Sequence, residues 1–348
     1  MIHLKSGSKV LLLLFVLNMF SCSGGQQKQA DENSTAQVAT NAKVEINPEA
    51  QMLLDYLVEM GDYANSRDFP SLIKPSSVYE ELDKNMLIVD IRRPDIFKNG
   101  HIKGAVNVEF SKLPEYFTNE IKPFEYDKIV LVCYAGQVSS YATSLLRLAG
   151  YGNVYAMRWG MSGWNKDFAE GSWLDVVSAA YEDQLETTEN EKAPVRDFPK
   201  LNTGKNTGEE ILQARIDSLF AQGSSAALVY AEDIFANPGN YYTINYDRRD
   251  KYESGHIPGA IRYKPNATLG IVSEMQTIPT NKEVVVYCNT GHNSGFATAY
   301  LRLFGYNAKT LTYGNNAFMY DKMVAQEKSL SWMPFTEAEI ENYPYTEE

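Results

Sequence analysis

The sequence predicts an α/β protein made of two tandem domains, each a mainly parallel sheet with helices on both faces. Three observations carry this. Motifs recur at a fixed offset, strand-length apolar runs alternate with helical spacing in each copy, and 348 residues at 44% hydrophobic suffice for two cores. The repeat is plain in the residues. Gly100-His101-Ile102-Lys103-Gly104-Ala105 matches Gly255-His256-Ile257-Pro258-Gly259-Ala260, Cys133 matches Cys288, and Gly150-Tyr151 matches Gly305-Tyr306, always 155 positions apart and without a gap. Many coincident motifs at so long a period indicate a duplicated domain rather than a solenoid.

Within the first copy, Met86–Asp90 is a short apolar strand that leads through a turn to the Gly-His-Ile motif. A second strand follows around Val106–Val108. Lys128–Cys133 is continuously apolar after its lysine, as a strand covered on both faces must be. Val138–Leu148 has helical spacing with Tyr141, Leu145 and Leu148 on one face. Gly150 ends it, and Val154–Met157 is the next strand. The second copy repeats these elements as Glu283–Cys288, Asn293–Phe304 and Ala308–Thr312.

Around the repeats the composition changes. Residues 1–22 carry Lys5 and Lys9 before the apolar run Val10–Leu17, which is too short to span a bilayer but suits a signal-peptide core. The run closes on Met19-Phe20-Ser21-Cys22, which resembles a bacterial lipoprotein cleavage site with Cys22 as the lipidated residue; an ordinary signal peptide with an incidental cysteine is the alternative. Residues 23–46 are polar and read as a flexible tether. Residues 47–74 hold an amphipathic helical extension expected to pack on domain one. Domain one then spans 75–175, a linker 182–208 whose charged residues at Glu182–Lys192 read as solvated, domain two 209–330 and a C-terminal tail 331–348. The chain is therefore expected to sit in the bacterial cell envelope, anchored to a membrane through lipid. The balance of 32 Lys+Arg against 44 Asp+Glu, net −12, argues against nucleic-acid binding. An anion site must then be local, made by backbone N–H groups or a placed cation.

The unit that carries chemistry is a strand, a glycine loop and a helix: Cys133-Tyr134-Ala135-Gly136-Gln137-Val138-Ser139, repeated as Cys288-Asn289-Thr290-Gly291-His292-Asn293-Ser294. A helix begins within six residues of the strand end, so the loop must curl around the sulfur with N–H groups pointing inward. The helix N-terminus adds partial positive charge at the same place. Both effects favour thiolate over thiol and are expected to pull each cysteine pKa below its ordinary value. Ser139 and Ser294 stand where a helix cap or a hydroxyl donor to sulfur is useful.

These features, with Val89-Asp90-Ile91-Arg92, Phe97, Leu146-Arg147, Trp159-Gly160 and Gly163-Trp164, resemble the rhodanese (sulfurtransferase) family twice over, across about residues 75–170 and 225–325. The resemblance implies that Cys133 and Cys288 accept a sulfane sulfur as a persulfide and pass it to a thiol or other nucleophile, small molecule or protein. It implies no metal or organic cofactor. The two loops, Tyr134 to Ser139 and Asn289 to Ser294, with Asp90 and Arg92, would form the substrate site. Where the family often carries a cation near the loop end, Val138 and Asn293 stand here, which argues against efficient use of thiosulfate. In copy two Asn245 and Asp247 stand opposite Asp90 and Arg92, so Cys133 is the stronger candidate.

Other readings remain open on sequence alone. Each cysteine could be a small core residue, or the two could form a disulfide. His101 and His256 read as structural turn residues, His292 as substrate-facing or merely exposed, and Arg92 as an anion ligand or a carboxylate partner. Four histidines without Cys/His clustering give no zinc site. A cysteine phosphatase or arsenate reductase of related fold would need an arginine closing a longer loop, where Ser139 and Ser294 stand. A non-catalytic binding or sulfur-carrier module is the second function class.

Overall fold

The computed structural model describes residues 45–348. The signal segment, Cys22 and nearly all of the tether lie outside the described residues. In the first copy the strands are β1 (Leu72–Ile73), β2 (Met86–Asp90), β3 (Val106–Asn107), β4 (Lys128–Val132) and β5 (Val154–Met157). They form one parallel sheet in the order β1-β5-β4-β2-β3. The second copy has β6 (Leu228–Val229), β7 (Tyr241–Asn245), β8 (Ile261–Arg262), β9 (Glu283–Tyr287) and β10 (Ala308–Leu311). Its sheet has the corresponding order, β6-β10-β9-β7-β8, again parallel. The expected tandem α/β architecture is therefore observed.

The apolar run of β4 is explained by burial on both faces. Ile129 and Leu131 enter one core cluster with Leu145 and Ala156, while Val130 and Val132 enter another with Met157 and Trp164. The repeat keeps its offset through Gly150-Tyr151, then loses one residue. Ile129 pairs with Val154, whereas Val284 pairs with Ala308, so the second copy reaches its last strand one position early. Trp159-Gly160 thus corresponds to Tyr313-Gly314, and all four residues share a left-handed backbone.

Among the described residues four helices have ten or more residues: α1 (Pro48–Glu59), α2 (Gln137–Leu148), α3 (Gly208–Ala221) and α4 (His292–Leu303). Helices α2 and α4 follow the two cysteine loops and pack against each other, which buries α2 on nearly every side instead of along one stripe. Ser144 Oγ donates to the Phe296 carbonyl at 3.0 Å, and Arg302 Nε donates to the Tyr141 hydroxyl at 3.1 Å. A Cβ on Gly295 would lie 3.1 Å from the Gln137 carbonyl oxygen and 3.3 Å from Ser140 Cβ, so the helices meet closely there.

Three flanking segments depart from expectation. Helix α1, capped by Asn47, does not pack on domain one alone: Leu57 and Met60 lie along Leu148 and Gly150, while its Tyr56 side sits against Gly208 at the start of α3. The linker is not simply solvated. Glu186 pairs with His256 in an antiparallel bridge, Lys192 pairs with Glu274, and Phe198 and Leu201 are buried. The C-terminal segment is a strap that returns to domain one. Thr346 bridges to His101, the Trp164 indole donates to the Pro344 carbonyl at 2.9 Å, and Tyr343 stacks on Tyr79 at 3.9 Å. Trp332, Phe335 and Ile340 of this segment are buried in the cores, but their spacing has no helical or strand period, so apolar patterning did not show the strap.

The close approach at Gly295 makes a prediction. Gly295→Leu should force the α2–α4 contact apart and destabilise the protein by about 1–3 kcal/mol, the usual cost of overpacking. A lowered midpoint in urea unfolding would show it; an unchanged midpoint would mean that the two helices do not pack in this way.

Candidate functional site

In domain one the strand β4 delivers Cys133 to a loop whose carbonyls from Cys133 to Gly136 are all engaged away from the sulfur. The Cys133 carbonyl accepts from the Met161 N–H at 2.9 Å and that of Tyr134 from the Ser162 N–H at 3.2 Å. The Ala135 carbonyl accepts from the Trp173 indole at 3.0 Å, and that of Gly136 from Ser140 Oγ at 2.7 Å. With its oxygens turned out, the loop turns N–H groups in. Cys133 Sγ accepts from Gly136 N at 3.1 Å and Ser139 N at 3.3 Å, and the thiol donates to Ser139 Oγ at 3.3 Å. Gly136 has φ +94° as N-cap of α2, and a side chain there would run into His292. Such a ring of amides at a helix start suits an anionic sulfur.

In domain two Cys288 is held less fully. Its Sγ accepts from Ser294 N at 3.3 Å and donates to Ser294 Oγ at 3.5 Å. Burial pushes this thiol pKa up, and the Asp247 carboxylate pushes it further. The expectation that both loops lower the thiol pKa is thus wrong for Cys288, because the cost of burying charge exceeds what its amides return. The two cysteines are free thiols, not a disulfide.

The loops meet through their first helical residues, Gln137 and His292, which occupy corresponding positions. Gln137 Nε2 reaches across to donate to the Thr290 carbonyl at 3.2 Å. His292 reaches the other way, and its Nε2 accepts the Trp159 N–H at 3.1 Å while Nδ1 bonds Thr290 Oγ1 at 2.7 Å. Trp159 and Trp173 pack around the ring. Burial, with Arg158 nearby, lowers the His292 pKa to about 3. An imidazole that accepts a backbone N–H in a dry site is a neutral strut. Both ring nitrogens are taken by protein partners, and the buried ring does not line the Cys133 cavity.

Cys133 opens on a cavity of about 230 Å³ between the domains. Tyr134, Ala135 and Val138 of its own loop form one wall, and Leu228, Tyr230 and Tyr313 of the second domain form the other.

A family model described as Rhodanese-like domain matches residues 74–167 and 241–321, together just over half of the chain. This chain belongs to the rhodanese-like domain family. Among its relatives, the thiosulfate sulfurtransferase GlpE of Pseudoalteromonas translucida is 32% identical over 100 residues, covering 28% of this chain and 91% of that protein. The GlpE protein of Shewanella oneidensis is 37% identical over 84 residues, 24% of this chain and 79% of that one. The tRNA uridine(34) hydroxylase of Teredinibacter turnerae is 24% identical over 124 residues, 35% of this chain and 36% of that protein. Among solved structures, the 3-mercaptopyruvate sulfotransferase SseA of Escherichia coli is 17% identical with a TM-score of 0.26, over 69% of this chain and 97% of that one.

Within this pair of rhodanese-like domains the expected site residues separate into groups. Cys133, Tyr134, Ala135, Gln137 and Val138 line the cavity, while Gly136 and Ser139 give their N–H groups to sulfur. Asp90 and Arg92 do not line it. Arg92 Nη2 lies 2.7 Å from Asp90 Oδ2 and donates to the Gly100 carbonyl at 2.6 Å, so the guanidinium joins β2 to the Gly-His-Ile turn. A buried arginine needs its carboxylate, which takes both groups out of the substrate wall. The second loop is closed: Asn289, Thr290 and His292 are buried, and Asn289 accepts from the Met333 N–H of the returning strap at 3.3 Å. Gly291 abuts Gln137, Asn293 is half-buried, and Ser294 holds Cys288. His101 Nδ1 bonds the Phe97 carbonyl at 2.9 Å and His256 Nδ1 the Tyr252 carbonyl at 2.8 Å, both structural turn contacts.

Sequence reasoning missed Leu228, Tyr230, Thr312 and Tyr313, which reach the Cys133 cavity from the other domain. One signal existed for Tyr313: allowing a one-residue gap aligns Tyr313-Gly314 with Trp159-Gly160.

Protonation of His292 gives a signed prediction. Its native pKa of about 3 lies below the value near 6.5 of an unfolded histidine, so only the unfolded chain takes up its proton between those values. The stability held by neutral His292 is complete above pH 6.5 and falls as pH drops toward 3. At pH 5 the loss should be about 2 kcal/mol. His292→Gln should shrink the stability difference between pH 7 and pH 5 by about that amount in urea titrations; an equal difference in both proteins would refute the neutral-strut assignment.

Proposed function

We propose that this chain is a sulfurtransferase in which Cys133 takes up a sulfane sulfur as a persulfide and delivers it to a thiol or other nucleophile. The observation that carries the reading is the Cys133 sulfur facing the Gly136 and Ser139 N–H groups at the wall of an interdomain cavity. In the first step the Cys133 thiolate attacks the outer sulfur of the donor. An S–S bond forms on the protein, the donor's bond to that sulfur breaks, and the donor leaves with the electron pair. In the second, the acceptor attacks the same outer sulfur and the Cys133 thiolate is the leaving group. The loop amides stabilise negative charge on sulfur in both steps without having to move, as a preorganised anion hole does. Sulfurtransferases among the relatives support this reading.

Cys288, with its thiol pKa pushed up and its loop residues Asn289 and Thr290 buried where Tyr134 of the first loop is exposed, supports a different role for domain two, in which it supplies a wall of the site and does not turn over. Incubation with sulfane donors should therefore add the mass of one sulfur atom, removable by cyanide or excess thiol, and Cys133→Ser should abolish the addition and most turnover. Cys288→Ser should retain both. A Cys133→Ser protein with nearly full activity would sink this assignment, and an unmodified mass with every donor would favour a non-catalytic binding or carrier module.

We further propose that Cys22 carries lipid and ties the paired domains to a membrane of the cell envelope, as the apolar segment before it and the polar tether after it suggest. The processed protein should partition into detergent and Cys22→Ala should move it to the aqueous phase. Detergent partitioning that survives the substitution would rule the anchor out.

A further inference from the structure

The cavity at Cys133 has a chemical character that neither the family nor its relatives assign. Tyr134, Val138, Leu228, Tyr230, Thr312 and Tyr313 surround the opening, and its lining contains no charged side chain. Tyr134 and Tyr230 stand at the mouth, one from each domain, and remain 45% and 51% exposed, unusually open for large aromatic side chains. The two arginines behind the loop stand outside this lining, and each has an acid beside it, although Arg92 also lies over the Tyr134 ring at 5.7 Å. Arg92 is held by Asp90 and Gly100, and the exposed Arg93 is paired with Asp95. Beyond the cavity, a second cleft of about 430 Å³ shares Tyr230, Thr312 and Tyr313 as a common wall, and its only charged lining residue is Glu232. A small dianion entering along this route would meet aromatic faces and a carboxylate, and no cationic side chain of either lining to replace its water.

Building on the sulfurtransferase reading, we infer that the Cys133 site takes organic persulfides whose organic group is uncharged and aromatic or aliphatic, in preference to thiosulfate. The transferred sulfur sits in the amide ring at Cys133 and the organic group lies between Tyr230 and Tyr313, extending into the outer cleft. The Cys133 thiolate attacks the terminal sulfur of the donor RSSH. The donor S–S bond breaks with its electron pair leaving as the thiolate RS⁻, and the new S–S bond leaves Cys133 as the hydropersulfide, which can release its proton to water. No oxidant or reductant is required. The domain-two wall therefore sets donor choice for a cysteine that belongs to domain one.

The test compares benzyl persulfide, its para-carboxylate analogue and thiosulfate on the detergent-solubilised full chain, with sulfur on Cys133 read by site-resolved mass spectrometry. Benzyl persulfide and its carboxylate share the same reacting centre and differ by one charge. The carboxylate should lose on the order of tenfold in kcat/KM, mostly through KM, the scale on which apolar pockets discriminate. Tyr230→Ala, at an exposed position, should narrow that gap by raising KM for benzyl persulfide and should leave thiosulfate nearly unchanged. Val138→Arg, which places a cation in the cavity, should improve loading from thiosulfate and from the carboxylate. Equal or faster loading from the carboxylate or from thiosulfate in the unsubstituted protein overturns the inference and leaves the sulfurtransferase reading standing. No sulfur on Cys133 from any of the three overturns both.

Discussion

The packing of α2 against α4 is the contact on which the rest of the molecule depends. Each helix starts at a cysteine loop, so laying the helices together brings the two loops face to face. Gln137 and His292 then cross the seam in opposite directions, and each completes the hydrogen bonding of the other domain. Buried polar groups are costly unless satisfied, so neither loop can be finished without its neighbour. The interdomain seam is thus part of the site and not only a join between two folded units.

On this near-symmetric frame the two copies have diverged by a few side chains. Domain one keeps a bidentate Arg92–Asp90 pair behind its loop, with the guanidinium also tied to Gly100. Domain two has Asn245 and Asp247 in those places, and Asp247 finds a looser partner in Lys251 at 3.7 Å. The carboxylate consequently stands near Cys288, whereas in domain one the acid is matched by its arginine. Electrostatics and closure of the second loop act in the same direction: one cysteine faces a cavity, the other lies in a sealed interior.

Much of this was legible in the sequence, and the reason is periodicity. The strands Met86–Asp90 and Val154–Met157 fall where the apolar runs put them, and the two cysteine loops fall where the Gly-to-helix transitions require. The duplication doubled every local signal. What the sequence did not yield depends on contacts between the copies. Gln137 and His292, each four residues after its cysteine, give no sign within their own loops that they exchange across a seam. Tyr230 and Thr312 look like ordinary strand-end residues until the second sheet is set beside the first loop. The Asp90-Ile91-Arg92 run suggested an anion site because charge alone cannot reveal whether a guanidinium is already bonded. The last eighteen residues looked like a tail because their buried side chains Trp332, Phe335 and Ile340 follow neither a helical nor a strand period, and their other anchors are single tyrosines, a carbonyl bonded by Trp164 and one short bridge.

That strap has a consequence for the order in which the chain can be completed. Synthesis proceeds from the N-terminus, and domain one is made before domain two. Yet the indole of Trp164 bonds to Pro344, His101 pairs with Thr346, and the Trp159 indole bonds to Glu339, all of them partners made after domain two. Helix α1 shows the converse, since its Tyr56 face waits for Gly208 in the later half. Those faces of the first domain are therefore covered only once residues 339–346 have been made, by a closing step that draws on both halves of the sequence.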